Sequence, residues 1–231
     1  MYLTRAFLNP NTHAVQLDAR DPVRLHKTVM LAFPDNAGPS PRLAHGVLHR
    51  LDVERDDRII LLVQSTIEPV FERWPAKYVL QPDEGTTDNA SALRANPAIR
   101  NINIDLAAIE VGRHFLFRLR ANTTRKVDTK SGADGQRRNG RRVPVRGDEA
   151  RLAWLVRHGE AGGFTLVEES IRIAELGPSA ARSGKPITVA GALFDGALIV
   201  QNADLFRSAL HSGIGSAKAY GFGLLSVKPT T

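Results

Sequence analysis

The chain has 231 residues, which is long enough to bury one large core or two small ones. The absence of cysteine excludes disulfide frameworks, thiolate zinc sites and cysteine nucleophiles, and fits a reducing setting. No apolar run approaches membrane-spanning length, and the N-terminus begins with a strand-like segment rather than a signal peptide. We therefore expect a soluble, cytoplasmic protein with no membrane partner.

The net charge of +7 is concentrated in one segment. Residues 113–146 contain eleven Lys and Arg against two Asp, a local balance of +9, whereas the rest of the chain carries −2. A concentrated cationic segment on an otherwise balanced chain is typical of proteins that bind a polyanion, most often nucleic acid. The alternative is a solvated basic loop that keeps the protein soluble.

Residues 1–110 predict a first domain with the element order β-α-β-β-(α)-β. It starts with a strand at 2–8 and a polar loop, followed by a helix that Asp21 caps, that Pro22 opens and that ends near Phe33. The next segments are predicted as two β-rich runs of a hairpin, a short helix, an irregular loop and a closing strand, in that order: 46–53, 58–64, 69–74, 81–97 and 99–106.

Residues 111–231 predict a second domain of the same order. Its segments are a strand, a basic hairpin, an amphipathic helix and two strands: 114–120, 123–142, 148–158, 164–173 and 187–194. Asp195-Gly196 is predicted as a two-residue turn into another strand, and Asn202 as the cap of a last helix. The two halves together predict an α+β fold of two tandem ferredoxin-like βαββαβ modules.

Two Gly-apolar-Gly pairs flank a five-residue spacer near the C-terminus: Gly213, Gly215, Gly221 and Gly223, with Lys218 in the spacer. Free backbone N–H groups next to a lysine suit a phosphate chain. The alternative is that Gly213 ends the preceding helix and the rest is a tight loop into the last strand. The spacing excludes a dinucleotide fingerprint and a P-loop.

Five landmarks follow one another along the chain: Met1-Tyr2-Leu3, His26 followed by Phe33-Pro34, Phe-Arg-Leu-Arg-Ala-Asn at 117–122, Ala153-Trp154-Leu155, and the glycine-rich run 213–227. Together they resemble the CasE family, the type I-E members of the Cas6 group of CRISPR repeat endoribonucleases. They span nearly the whole chain in the family's order.

The resemblance implies a metal-independent endoribonuclease without a cofactor. Such an enzyme cuts precursor CRISPR RNA at the 3′ base of the repeat stem-loop, leaves 2′,3′-cyclic phosphate and 5′-OH ends, and stays bound as a subunit of Cascade. The family's catalytic helix histidine corresponds to His26, with Lys27 and Lys218 as candidates for stabilising the phosphate charge. Val23 stands where some members have a catalytic tyrosine, and we expect no second histidine near His26.

Contacts to the RNA repeat are predicted for basic residues on the strand 114–120 and the hairpin, and for the glycine-rich run. The set is Arg118, Arg120, Arg125, Lys126, Lys130, Arg137, Arg138, Arg141, Arg142, Gly213, Gly215, Lys218, Gly221 and Gly223. Proteins read A-form RNA mainly through its shape and phosphates, and a basic hairpin could enter the major groove where the stem ends.

Two other functions stay open from the sequence. The chain could be a non-cleaving subunit or RNA chaperone of the same fold that binds the crRNA repeat, or a nucleotide hydrolase built on the glycine-rich run, which the motif spacing disfavours. His45 and His49 have the spacing of a helical metal pair, but they lie in a strand-like run without a third ligand, so no metal site is predicted.

Overall fold

The computed structural model describes residues 1–36, 38–54, 56–81, 96–127, 141–180 and 188–230, without the side chains of 141, 178–180 and 188–190. The predicted loop 81–97 therefore lies mostly outside the described residues. Across these ranges, no helix is long and apolar enough to cross a membrane.

The N-terminal half forms a four-stranded antiparallel sheet in the order β2-β3-β1-β4, with helices packed on it. Its elements are β1 (Tyr2–Leu8), α1 (His13–Arg20), α2 (Pro22–Met30), α3 (Pro41–Ala44), β2 (Leu48–Val53), β3 (Ile59–Ser65), β4 (Ala98–Asn101) and α4 (Asn103–Ala107). One hydrophobic core joins the inner face of the sheet to α1 and α2.

The C-terminal half repeats the same strand order, as β10-β5-β9-β8. Its elements are β5 (His114–Ala121), β6 (Thr124–Val127), β7 (Arg141–Pro144), α5 (Asp148–Ala161), β8 (Phe164–Ala180), β9 (Thr188–Val200), α6 (Ala203–Ser212) and β10 (Leu225–Pro229). Strands β6 and β7 pair separately as an antiparallel insertion after β5. The α+β architecture of two ferredoxin-like sheets is therefore confirmed.

Two predictions about the N-terminal half were wrong because tertiary contacts outweigh the local pattern. The predicted polar loop contains α1, whose Asp18 accepts hydrogen bonds from the Tyr78 hydroxyl at 2.8 Å and the Thr28 hydroxyl at 2.6 Å. The predicted helix 69–74 is an irregular segment with a short turn, in which the rings of Phe71 and Trp74 pack edge to face with their centroids 4.5 Å apart.

Two strand predictions also need correction. The strand expected over 99–106 ends at Asn101, whose side chain accepts a hydrogen bond from the Asn103 N–H at 3.1 Å and turns the chain into α4. Asp195-Gly196 is not a turn, because both residues lie within β9 and pair with β5. A bulge of β8 passes Gly196 so closely that a Cβ there would lie 2.6 Å from Ile171 Cδ1.

The two sheets are joined by buried hydrogen bonds. Arg50 on β2 is 2% exposed, and its Nη1 donates to the Arg118 carbonyl at 3.1 Å and to Ser226 Oγ at 2.8 Å. Its Nε pairs with Asp52 at 2.9 Å. These bonds fix β2 of the first sheet against β5 and β10 of the second.

Candidate active site

His26 is positioned by the well-capped helix α2. Pro22 occupies the first turn, and the Asp21 carboxylate accepts hydrogen bonds from the backbone N–H groups of Val23 at 2.9 Å and Arg24 at 3.3 Å. Leu25 on the same helix is buried in the core. His26 therefore lies beside the buried face and is half-buried, as its place in the sequence predicts.

A second histidine, His49 on β2, stacks on His26. The two ring centroids are 5.9 Å apart and the ring planes are inclined by 19°. His49 is 0% exposed, and among the described residues neither of its ring nitrogens has a hydrogen-bond partner; His26 Nδ1 lacks one there as well. The expectation of no second histidine near His26 was wrong. No local signal reveals this contact, because it arises from the packing of α2 against β2.

Burial and positive neighbours keep both imidazoles neutral. Burial lowers the pKa of His49 from 6.5 to about 3, and its neighbours His26, Arg120 and Arg42 act in the same direction. The pKa of His26 is also lowered, first by burial and then by Arg42. A neutral His26 can accept a proton at neutral pH.

His26 and Lys27 line an open cleft of about 500 Å³ together with Arg42, which the sequence did not single out. Lys27 is exposed, whereas Arg42 is half-buried. Ala219, in the spacer of the glycine-rich run, contributes to the same wall. The cleft thus combines one imidazole with two cations.

The glycine-rich run folds into two close-packed segments around a short 3-10 helix, Lys218–Tyr220. Gly213, Gly215, Gly221 and Gly223 all have φ between +74° and +90°. A Cβ on Gly213 would lie 2.8 Å from the Gly223 carbonyl oxygen, and the Ile214 N–H donates to that same oxygen at 2.9 Å. Gly213 also caps α6, as the tight-loop alternative predicts.

The 3-10 helix brings the run to the histidine pair. It contacts both α2 and β2, and a Cβ on Gly221 would lie 3.7 Å from the His49 ring. Lys218 Nζ donates to the Ser212 carbonyl at 2.7 Å, and its pKa is lowered by burial and by Arg42. The predicted residues Gly221 and Lys218 are therefore near His26, although they come from the opposite end of the chain.

The two β5 arginines that were predicted to contact RNA have different surroundings. Arg118 forms a two-bond ion pair with Asp195, at 2.7 and 3.2 Å. Arg120 lies over the Phe222 ring, 4.8 Å from its centroid, and its buried Nε has no hydrogen-bond partner in the part of the chain that the structure describes. Burial lowers the pKa of Arg120 despite the opposing charge of Asp52.

The described ends of the basic hairpin expose its cations. Arg125 and Lys126 on β6 and Arg142 on β7 are exposed, with Lys126 paired opposite Arg142. Arg141 lies in β7 opposite Val127. The other three predicted hairpin cations lie outside the described residues: Lys130, Arg137 and Arg138.

The base of this hairpin is attached to the glycine-rich run. Asn122 and Ser216 form a β-bridge, and Asn122 Nδ2 donates to Ser216 Oγ at 3.2 Å. Trp154 Nε1 donates to the Thr124 carbonyl at 3.1 Å, and a Cβ on Gly215 would lie 3.2 Å from the Trp154 ring. The run therefore contacts the hairpin base at one end and the histidine pair at the other.

No metal centre accompanies the histidines within the described ranges. His45 Nε2 lies 3.2 Å from the Pro34 carbonyl oxygen. In that part of the chain, no three His, Cys, Asp or Glu residues are grouped so that they could hold a metal ion.

Comparison with known proteins gives matches over the whole chain. Residues 1–229 match the family described as CRISPR associated protein. The CRISPR-associated endoribonuclease Cse3 of Thermus thermophilus is 30% identical over 249 residues, covering 99% of this chain and 100% of that protein. The CRISPR system Cascade subunit CasE of Escherichia coli is 32% identical over 123 residues, covering 52% of this chain and 61% of that protein.

Solved structures extend the similarity to three dimensions. Thermus thermophilus Cse3 bound to an RNA representing a pre-cleavage complex superposes with a TM-score of 0.72 at 27% identity, covering 99% of this chain and 98% of that one. Cas6e from Escherichia coli superposes with a TM-score of 0.67 at 22% identity, covering 100% of both chains, which supports the fold.

Proposed function

We propose that this chain, which belongs to the CRISPR associated protein family, is an endoribonuclease that cuts precursor CRISPR RNA at the 3′ base of the repeat stem-loop. The observation that carries the proposal is the cleft in which neutral His26 lies beside Lys27 and Arg42. We also propose that the protein stays on its product as a Cascade subunit, since a Cascade subunit is among its relatives.

The proposed reaction is an internal transesterification that uses no metal ion. The ribose 2′-oxygen forms a bond to the adjacent phosphorus while the bond from phosphorus to the 5′-oxygen breaks. The products are a 2′,3′-cyclic phosphate and a 5′-OH. Neutral His26 accepts the proton of the 2′-OH, and a positioned base of this kind contributes about 10²- to 10⁴-fold to the rate. The departing 5′-oxygen takes up a proton from water, and His26 returns to water the proton that it accepted, so that no net proton is consumed.

We propose that cations at the cleft stabilise the negative charge that develops on the non-bridging oxygens of the phosphate. Lys27 follows His26 on α2 and is exposed, so a phosphate can reach it. Lys218 directly precedes Ala219 of the cleft wall, and its ammonium donates to the Ser212 carbonyl. Fixed cations in a partly dehydrated site stabilise developing negative charge more strongly than water does.

For the stem, we propose that the hairpin cations make the first contacts with phosphate. Arg125, Lys126 and Arg142 are exposed on paired strands, so they can follow one groove. Arg118 would contact RNA by exchanging its ion pair with Asp195, which makes it a weaker candidate than the exposed cations.

The test compares wild type, His26→Ala and the control His13→Ala, whose exposed side chain lies on α1. Each protein is incubated in EDTA with an end-labelled repeat hairpin, and the products are mapped by size and end chemistry. We expect one cut at the 3′ foot of the stem with a cyclic phosphate end, retained in His13→Ala and lost in His26→Ala.

A second candidate function is a subunit that binds the repeat without cutting it. Val23 favours it, because some members of the CasE family have a catalytic tyrosine at this position and this chain does not. Tight binding without a cut by wild type and both variants would support that candidate. Cutting at the same phosphate by His26→Ala would refute the assignment of His26.

A further inference from the structure

Arg42 is held rigidly at the edge of the cleft by Val47. The Val47 N–H donates to the Arg42 carbonyl at 2.8 Å, and Arg42 Nη1 donates to the Val47 carbonyl at 3.1 Å. Val47 is 0% exposed and directly precedes β2, the strand that carries His49. The guanidinium is therefore fixed relative to the histidine pair by both its backbone and its side chain.

Most of the guanidinium is available to a ligand. Across the described residues, Arg42 has no carboxylate partner, and the bond to Val47 is the single hydrogen bond that its side chain donates. Among the described residues, none of its side-chain nitrogens is both buried and without a hydrogen-bond partner. Arginine presents its N–H donors in a planar fork that matches two oxygens of a phosphate.

The neighbouring cations are less suited to this task. Arg120 is engaged with the Phe222 ring. Lys218 is bound to the Ser212 carbonyl, and Lys27 is an exposed, flexible lysine. A fixed guanidinium loses less conformational entropy on binding phosphate than a free lysine does.

The charge of Arg42 acts on both histidines and on Lys218. It lowers the pKa of His26, of His49 and of Lys218. Among the described residues that line the cleft, Asp35 is the one carboxylate. It is exposed and paired with Arg73, so it does not neutralise Arg42. A half-buried cation without a counter-charge, beside a neutral imidazole, stabilises the negative charge that develops on the phosphate oxygens in the transition state.

We propose that Arg42 is a catalytic residue that donates hydrogen bonds to the non-bridging oxygens of the scissile phosphate and stabilises its pentavalent state. This inference rests on the proposed ribonuclease function. It supplies the partner of His26 that Val23 cannot provide.

The test measures single-turnover cleavage at saturating protein for wild type, Arg42→Ala, Arg42→Lys and the control Arg58→Ala. Arg58 is an exposed arginine directly before β3 that pairs with Glu54. We expect Arg42→Ala to lose about 10²- to 10³-fold in rate, the effect of removing a donor to a transition-state oxyanion. Arg42→Lys should keep part of the rate, because it keeps the charge without the fork. Arg58→Ala should match wild type.

A second measurement separates contact from structural support. The substrate carries a phosphorothioate of defined stereochemistry at the cleaved linkage, since sulfur accepts hydrogen bonds more weakly than oxygen does. Wild type should cut one stereoisomer more slowly than the oxygen substrate, and Arg42→Ala should show no such difference. Binding of an uncleavable RNA with 2′-deoxyribose at the cut site confirms that each variant is folded.

Three results would overturn the inference. Arg42→Ala could cut at the wild-type rate, or its sulfur effect could equal that of wild type; in both cases the proposed ribonuclease function survives. If wild type itself fails to cut the repeat, the function and the role of Arg42 fall together. If Arg42→Ala does not fold, Arg42→Lys replaces it in the test. A sulfur effect in Arg42→Lys that equals that of wild type would then overturn the inference, and a smaller one would support it.

Discussion

The buried imidazole of His49 makes the folded protein sensitive to acid. Its pKa is lowered from 6.5 to about 3 by burial and by neighbouring cations, so the folded state excludes a proton that the unfolded chain binds below pH 6.5. This contribution to stability is fully present above pH 6.5 and is lost as the pH falls from 6.5 towards 3. We expect His49→Phe to remove this dependence, because phenylalanine fills a similar volume without titrating.

The magnitude follows from the pKa difference. Each pH unit within the window costs about 1.4 kcal/mol per proton, so one histidine loses about 2 kcal/mol between pH 6.5 and 5.0. The free energy of unfolding of wild type, minus that of His49→Phe, should therefore fall by about 2 kcal/mol between pH 7.5 and 5.0. His26 titrates in both proteins and largely cancels in the difference.

Urea denaturation at pH 7.5, 6.5, 5.5 and 5.0 measures this difference, with exposed His13→Gln as the control that should run parallel to wild type. At pH 7.5, His49→Phe should be at least as stable as wild type, since it removes two buried ring nitrogens that have no hydrogen-bond partner within the described ranges. Parallel curves for wild type and His49→Phe would show that His49 binds its proton equally well in the folded and the unfolded protein, and would refute the reasoning.

Three further predictions concern stability and RNA binding. Arg50→Ala should lower the free energy of unfolding, measured by urea denaturation, by about 3–5 kcal/mol, because it leaves Asp52 without its cation and the other partners of Arg50 without a donor. The exposed Arg58→Ala should cost less than about 1 kcal/mol. Gly213→Ala should cost about 1–3 kcal/mol more than Gly147→Ala, since both have positive φ but a Cβ meets atoms at 2.8 Å only at Gly213. Equal costs would contradict the close packing of the run. Lys126→Ala should lower the salt slope of repeat binding by about one in a filter-binding titration, and an unchanged slope would remove Lys126 from the interface.

The elements that the sequence predicted correctly carry their own local signals. Asp21 followed by Pro22 marks the start of α2, and Asn202 caps α6 by accepting from the backbone N–H groups of Asp204 and Leu205. The paired runs of the N-terminal hairpin correspond to β2 and β3. In these segments local propensity and tertiary packing favour the same structure.

The residues that were missed depend on contacts between distant segments. His49 occupies one of three consecutive buried positions at the start of β2, so alternation does not reveal which helix covers it. Asp195-Gly196 has the composition of a turn, but Asp195 is needed for the ion pair with Arg118 and Gly196 for the close approach of Ile171. A short-range pattern cannot distinguish these demands from those of a hairpin turn.

The glycine-rich run explains why residues so far apart in sequence can form one site. Ser216 bonds the base of the basic hairpin, while the following Lys218–Tyr220 turn packs on α2 and β2. Because the Ile214 N–H donates to the Gly223 carbonyl, the run is closed on itself and links the base of the hairpin to the histidine pair. Four positive-φ glycines are thus needed first for this close packing, and any backbone contact to phosphate depends on it.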